Sequence, residues 1–255
     1  MRAVRFASRF DFSLDPATRR AIEALAPEVI QVSAERIAAE IRLMLLDKSR
    51  RAAVKLLGEV GVLAAILPEL SAAREAGSLA ATYKVLDRLE QPRFSLALAA
   101  LLHDAVSPSV GYDICRRWKL SNRDSQQVRW LVEHRDALVA ARQMAWPRLQ
   151  RLLIAGGVED LLQLHEAIAI AAGNGSDAVN YCRELLQMPP DELNPPPLLT
   201  GDDLLAHSVP RGKEYQLLLE AVRDTQLNKT ISTCAEALAL VDALRKRGPD
   251  SNPQA

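Results

Sequence analysis

Apolar residues recur at three- and four-residue spacing along almost the whole of this chain, and the two-residue alternation of a β-strand is nearly absent. That pattern leaves one class of solution: helices whose apolar stripes must be covered by other helices. Hydrophobic residues make up 49 % of the 255 residues but aromatic residues only 4 %. The core must therefore be built chiefly from Leu and Ala, which favour helix and let helices approach closely. The expectation is an all-α fold, a curved array of packed helices, long enough for one large domain or a few small ones.

Local signals place the elements. Asp15-Pro16 is an N-cap followed by a residue whose missing N–H costs nothing at the first helical position, so a helix opens there and runs to about Leu25. Ser33 is placed to cap a second, to about Leu46; a third spans about 49–60, ended by Gly61. Further helices are expected at about 79–89, 93–103, 110–118, 123–140, 147–155, 159–173 and 177–187. Residues 188–197 hold five prolines and form the clearest boundary, because proline cannot continue a helix. Short helices follow near 201–206, 213–225 and 233–247. Residues 1–10 read as a helix already in progress, with Val4, Phe6, Ala7 and Phe10 spaced for an apolar face and no capping residue. Such an opening is expected of a chain that has lost its natural start or whose start codon is assigned too late.

Charge excludes a globally basic binder, since 32 Lys and Arg balance 32 Asp and Glu. A nucleic-acid face would need local segregation. Arg2, Arg5 and Arg9 fall on one helical stripe. Arg116, Arg117, Lys119 and Arg123 crowd the turn at 120–122, with Arg129 and Arg135 beyond it. Clustered cations near helix ends suit phosphate contacts, although a solvated face would look the same. Trp118, Trp130 and Trp146 could stack on bases, but Leu, Val and Ile neighbours make two of the three read as core anchors.

Three dispersed cysteines, Cys115, Cys182 and Cys234, with no CxxC pair, read as buried or half-buried thiols of a reducing compartment, so a cytoplasmic protein is expected. The arginine-bearing opening lacks the apolar stretch of a secretory leader, and runs such as residues 96–102 are far too short to span a bilayer, so no membrane partner is expected. No two histidines share i, i+4 spacing, which argues against a zinc helix. His134 reads as a polar-face residue, His165 as half-buried and His207 as a solvated loop residue.

Four segments resemble the bacterial tRNA nucleotidyltransferase and poly(A) polymerase family, the class II CCA-adding enzymes. They are Arg2-Ala3-Val4-Arg5-Phe6 with its continuation to Phe12; Val32 to Ile37 with Leu57-Gly58-Glu59-Val60-Gly61-Val62-Leu63 and Leu67-Pro68-Glu69-Leu70; Leu101-Leu102-His103-Asp104; and Pro196-Pro197-Leu198-Leu199-Thr200-Gly201-Asp202-Asp203-Leu204 with Ala221 to Ala237 behind it. The resemblance implies a neck at 1–70, a helical body at 71–187 and a Pro-rich linker with a helical tail at 188–255. It implies tRNA as partner, with Arg2, Arg5, Arg9, Arg116, Arg117, Lys119, Arg123, Lys213 and Lys229 as RNA-contact candidates. The family's catalytic head, which holds Mg²⁺ on paired aspartates and transfers the nucleotide, has no counterpart in these residues. No catalytic residue is therefore assigned, and the chain alone is expected to be inactive.

Two alternatives stand beside this reading. His103-Asp104 matches part of the metal set of HD phosphohydrolases, but Ala81-Thr82 stands where a histidine is needed and Val106-Ser107-Pro108 replaces the usual glycine-lysine-proline. The pair then reads as a degenerate remnant that caps a helix. A helical scaffold for a protein partner would instead show an apolar groove and no basic face.

Overall fold

A computed structural model describes residues 1–70, 79–212 and 214–247. Among these residues every regular element is helical and no strand occurs, as the periodicity requires. The chain forms two compact units, residues 1–140 with 157–181, and residues 141–156 with 182–255.

The first unit opens with α1 (Arg2–Phe10), α2 (Pro16–Leu25), α3 (Ala34–Leu46), α4 (Arg50–Glu59) and α5 (Val62–Ile66). It continues through α6 (Leu79–Arg88), α7 (Phe94–Leu102), α8 (Pro108–Arg117), α9 (Asn122–Glu133) and α11 (Val158–Ala171). Every residue of α7 is buried. A helix apolar on all sides belongs at the centre of a unit, and α3, α6, α9 and α11 all pack against it.

The start of α2 follows the sequence signal: the Asp15 carboxylate accepts from the N–H groups of Ala17 and Thr18 at 2.9 and 3.2 Å. Ser33 sits at the N-cap of α3, yet its side chain makes no cap hydrogen bond. Gly61 ends α4 in the left-handed region at φ 79°, a conformation that glycine enters without a Cβ clash.

Two features depart from expectation. In α1 the buried residues are Val4 and Ala7, while Phe6 and Phe10 are 39 % and 52 % exposed. The small side chains set the close approach to α4, and the phenyl rings are left to the side. Helix α9 stops at Glu133 rather than near Ala140. The backbone N–H and Nδ1–H of His134 both point at the Trp130 carbonyl, at 3.0 and 2.8 Å. His165 Nε2–H donates to the His134 carbonyl at 2.9 Å. Side chains thus satisfy carbonyls that a further turn would have used. Leu138 and Ala141 are buried nonetheless, which is why the apolar pattern ran on.

The second unit contains α10 (Trp146–Leu153), α13 (Pro190–Leu193), α14 (Gly201–Ala206), α15 (Glu214–Leu227) and α16 (Cys234–Arg247); α12 (Asp177–Leu185) crosses from the first unit into it. Its core is Leu199, Leu204, Val209, Leu218, Val222, Ala237 and Val241. Thr200 and Asp203 form a reciprocal capping box on α14, so the Leu199–Leu204 motif has a structural role: two core leucines bracketing a helix start. The proline-rich segment has carbonyls but few N–H groups. Arg223 donates to the Pro195 carbonyl at 2.6 Å, Gln226 to that of Pro196 at 2.7 Å, and Gln150 to that of Leu193 at 2.9 Å.

Candidate nucleic-acid interface

The arginine stripe of α1 is anchored rather than bare. Arg5 Nε donates to Glu40 Oε2 at 2.9 Å, and its guanidinium lies 4.4 Å from the Phe6 ring centre. Arg9 lies 3.5 Å from Asp47 and 5.7 Å from the centre of the Phe10 ring. The backbone N–H of Ser49 is the main influence holding the Asp47 carboxyl below its usual range. Arg2 is exposed and has no partner among the described residues. Phe6 and Phe10 stack with centroids 6.2 Å apart, and Phe10 and Phe12 are 5.6 Å apart. With Leu43 and Leu46 also exposed, this corner carries an apolar surface beside its cations.

The second cluster is cross-braced in the same way. Arg117 meets both oxygens of Glu69, at 2.5 and 3.1 Å, and donates to the Ile66 carbonyl at 3.2 Å. Burial pushes the Glu69 carboxyl up, but the hydrogen bond from Arg117 helps carry it below its usual value. Lys119, at φ 52°, reaches Glu35 at 2.8 Å, and that hydrogen bond lowers the Glu35 carboxyl. Arg116 donates to Asn122 at 3.0 Å. Arg42 donates to Asp124 at 3.1 Å, with its guanidinium 4.0 Å from the Phe94 ring centre. Among the described residues Arg123 is exposed and unpaired, as is Arg36 on α3, which the sequence reading did not single out. Of the remaining candidates, Lys213 lies outside the described residues, and Lys229 stands exposed and unpaired at φ 58°.

The structure therefore sorts one undifferentiated set of cations into two groups. Arg5, Arg9, Arg117 and Lys119 pair with carboxylates from other parts of the first unit, while Arg2 and Arg123, like the additional Arg36, have no partner among the described residues. Arg50, also missed in the sequence, is buried and donates to the carbonyls of Leu45 and Leu89, both at 2.9 Å. Its role is to close the ends of two helices.

His103 is buried at the end of α7 and its Nδ1–H donates to the Ala100 carbonyl at 2.8 Å, in line with a local capping role; Asp104 beside it is exposed. Among the described residues no three His, Cys, Asp or Glu side chains converge to hold a metal. These residues do not fit a two-metal nucleotide-transfer site, which needs clustered carboxylates. His165 is fully packed rather than half-buried, and His207 is not simply solvated: its Nε2 lies 2.9 Å from Asp242 Oδ1. Cys115 and Cys182 are buried, which pushes their thiols to about 12 and about 11, whereas Cys234 is exposed at the start of α16. Trp118 is buried; Trp130 and Trp146 are half-buried. Among the described residues no helix is long and apolar enough to cross a membrane.

Residues 11–74 match the family described as "Probable RNA and SrmB- binding site of polymerase A". A CCA-adding enzyme from Geobacillus stearothermophilus is 32 % identical over 181 residues, covering 68 % of this chain and 41 % of the relative. One from Lactobacillus gasseri is 28 % identical over 241 residues, covering 93 % of this chain and 57 % of the relative. Among solved structures, a CCA-adding enzyme in complex with CTP matches 95 % of this chain and 58 % of its own length, with a TM-score of 0.55 and 17 % identity. The Thermotoga maritima CCA-adding enzyme complexed with tRNA matches 95 % of this chain and 59 % of its own length, with a TM-score of 0.51 and 18 % identity. Fold and matched segment together define the class, an all-helical chain similar to the C-terminal half of CCA-adding enzymes. The chain belongs to the tRNA nucleotidyltransferase and poly(A) polymerase family and corresponds to its C-terminal part. It spans roughly half the length of the relatives it matches, 41 % and 57 % in the two cited. The phosphohydrolase and scaffold alternatives are not favoured by these matches.

Proposed function

We propose that this chain is the tRNA-gripping part of a cytoplasmic nucleotidyltransferase that adds C or A nucleotides to an RNA 3′ end. The observation that carries this reading is the RNA-binding family match over residues 11–74, the segment that bears Arg36 and Arg42. The neck at 1–70 would hold the acceptor end, and the body at 71–187 and tail at 188–255 the folded corner of the tRNA. Recognition would run through phosphates and the shallow minor groove of an A-form helix, by shape more than by sequence. Arg2, Arg36, Arg123 and Lys229 are the cations best placed to act, since each lacks a partner among the described residues. Mg²⁺ and the transfer chemistry belong, in this reading, to a head domain of the longer protein.

A salt-series titration with unmodified tRNA and with an RNA duplex of equal length tests the proposal. The expected result is a steep loss of affinity with salt together with preference for tRNA. Equal or absent binding to both would overturn tRNA recognition by this chain.

A further inference from the structure

The first unit contains a surface cavity of about 480 Å³, lined by Arg51 of α4, by Lys84, Asp87 and Arg88 of α6, and by residues 170–173 at the end of α11. Three cations face one carboxylate there, and the carboxylate is committed: Asp87 lies 3.2 Å from Arg51. Lys84 and Arg88 stand one helical turn apart on α6, are exposed, and have no partner among the described residues. A simpler role for them would be to answer the negative end of α11, but neither donates a hydrogen bond to its carbonyls. The wall at Gly173 is open, with nothing within 4 Å of where a Cβ would stand. Arg51 belongs to the segment matched as RNA-binding, whereas Lys84 and Arg88 lie outside it.

An unneutralised cation pair at a concave, solvent-filled site attracts an anion, and the site is too open and too polar for an apolar ligand. We propose that this cavity seats backbone phosphate of the bound RNA, with Lys84 and Arg88 as the primary contacts and Arg51 as a third, partly held back by Asp87. The inference rests on the RNA-binding reading and deepens it by naming a phosphate site that the sequence clusters did not include. It also fixes a sign: Asp87 works against the ligand, so neutralising it should help binding.

The test is a salt-series titration of the full chain with unmodified tRNA, comparing wild type, Lys84→Ala/Arg88→Ala and Asp87→Asn. Helical circular dichroism confirms that each variant is folded. Each phosphate contact contributes roughly 0.9 to the slope of log affinity against log salt on a duplex. The cavity pair should therefore lose between about one and two units of slope, with affinity down roughly tenfold at ~0.1 M salt. Asp87→Asn should bind tighter than wild type. An unchanged slope in the cavity pair, or weaker binding by Asp87→Asn, overturns the phosphate site while tRNA binding by wild type still stands. Failure of wild type to bind tRNA overturns the parent reading and this site with it.

Discussion

Arg117 and Glu69 meet through two separate N–H···O contacts, one from each terminal nitrogen, and the same guanidinium also holds the Ile66 carbonyl. A residue so engaged braces α8 against residues 66–69 before it is a phosphate ligand. Arg117→Ala should lower stability by about 1 kcal/mol, because a bidentate pair is worth more than an ordinary surface contact, yet Arg117 is nearly half exposed and solvent screens it. A double-mutant cycle with Glu69→Gln in urea should return a coupling of about 0.5–1 kcal/mol that shrinks at high salt. Zero coupling would show that the brace contributes nothing in solution.

Arg123 offers the contrast, being exposed and unpaired on the neighbouring helix. Arg123→Ala should leave thermal stability within about 0.5 kcal/mol of wild type while reducing the salt slope of tRNA binding by about one unit. Lys119→Ala, which breaks the contact to Glu35, should do the reverse: a measurable drop in midpoint and a smaller change in slope. Indistinguishable variants would mean that internal pairing does not decide which cations reach RNA.

Arg50 should be among the most sensitive positions of the first unit. Its side chain satisfies the carbonyls of Leu45 and Leu89 inside the core. Arg50→Met keeps the bulk and removes the donors, leaving two acceptors unmet at roughly 1–3 kcal/mol each. A loss of about 3 kcal/mol in urea denaturation is expected, a large fraction of an ordinary domain's stability. Lysine should not rescue it, because one ammonium cannot reproduce the fork.

Acid should weaken the first unit through His103 and His165. Burial pushes both below the usual histidine value, so the fold favours their neutral forms. Asp104, Arg135 and Asp136 act on His103, and Asp136 and His134 on His165, but desolvation is the largest influence on each. A lowered folded pKa gives stability that is present above the unfolded value near 6.5 and is lost as pH falls through the folded value. The urea midpoint should fall between about pH 7 and pH 5, and fall less in His103→Gln/His165→Gln. An equal fall in that variant would assign the acid sensitivity to other groups.

Helix positions were largely legible in the sequence because their signals are local. Asp15-Pro16 capped α2, Gly61 closed α4, and the all-apolar run of α7 became a buried helix. The end of α9 was not legible, because it depends on His165, distant in sequence, reaching the His134 carbonyl. Nor could the sequence separate Arg123 from Arg117: both lie in one basic cluster, and the difference is Glu69, 48 residues from Arg117. The α1 phenylalanines were misplaced for a related reason. Periodicity identifies an apolar stripe, but only the partner helix decides whether Val4 and Ala7 or Phe6 and Phe10 lie at its centre.

The three side-chain donors on the proline-rich carbonyls have a consequence for how the second unit assembles. Proline arrives with φ already restricted, so docking that stretch forfeits less backbone freedom than docking an ordinary loop. Arg223 and Gln226 both project from α15, which means the donors exist in the right place only once that helix has formed. Helix and proline segment should therefore open and close together as a single foldon, in which a break anywhere between Leu193 and Leu227 frees both halves at once.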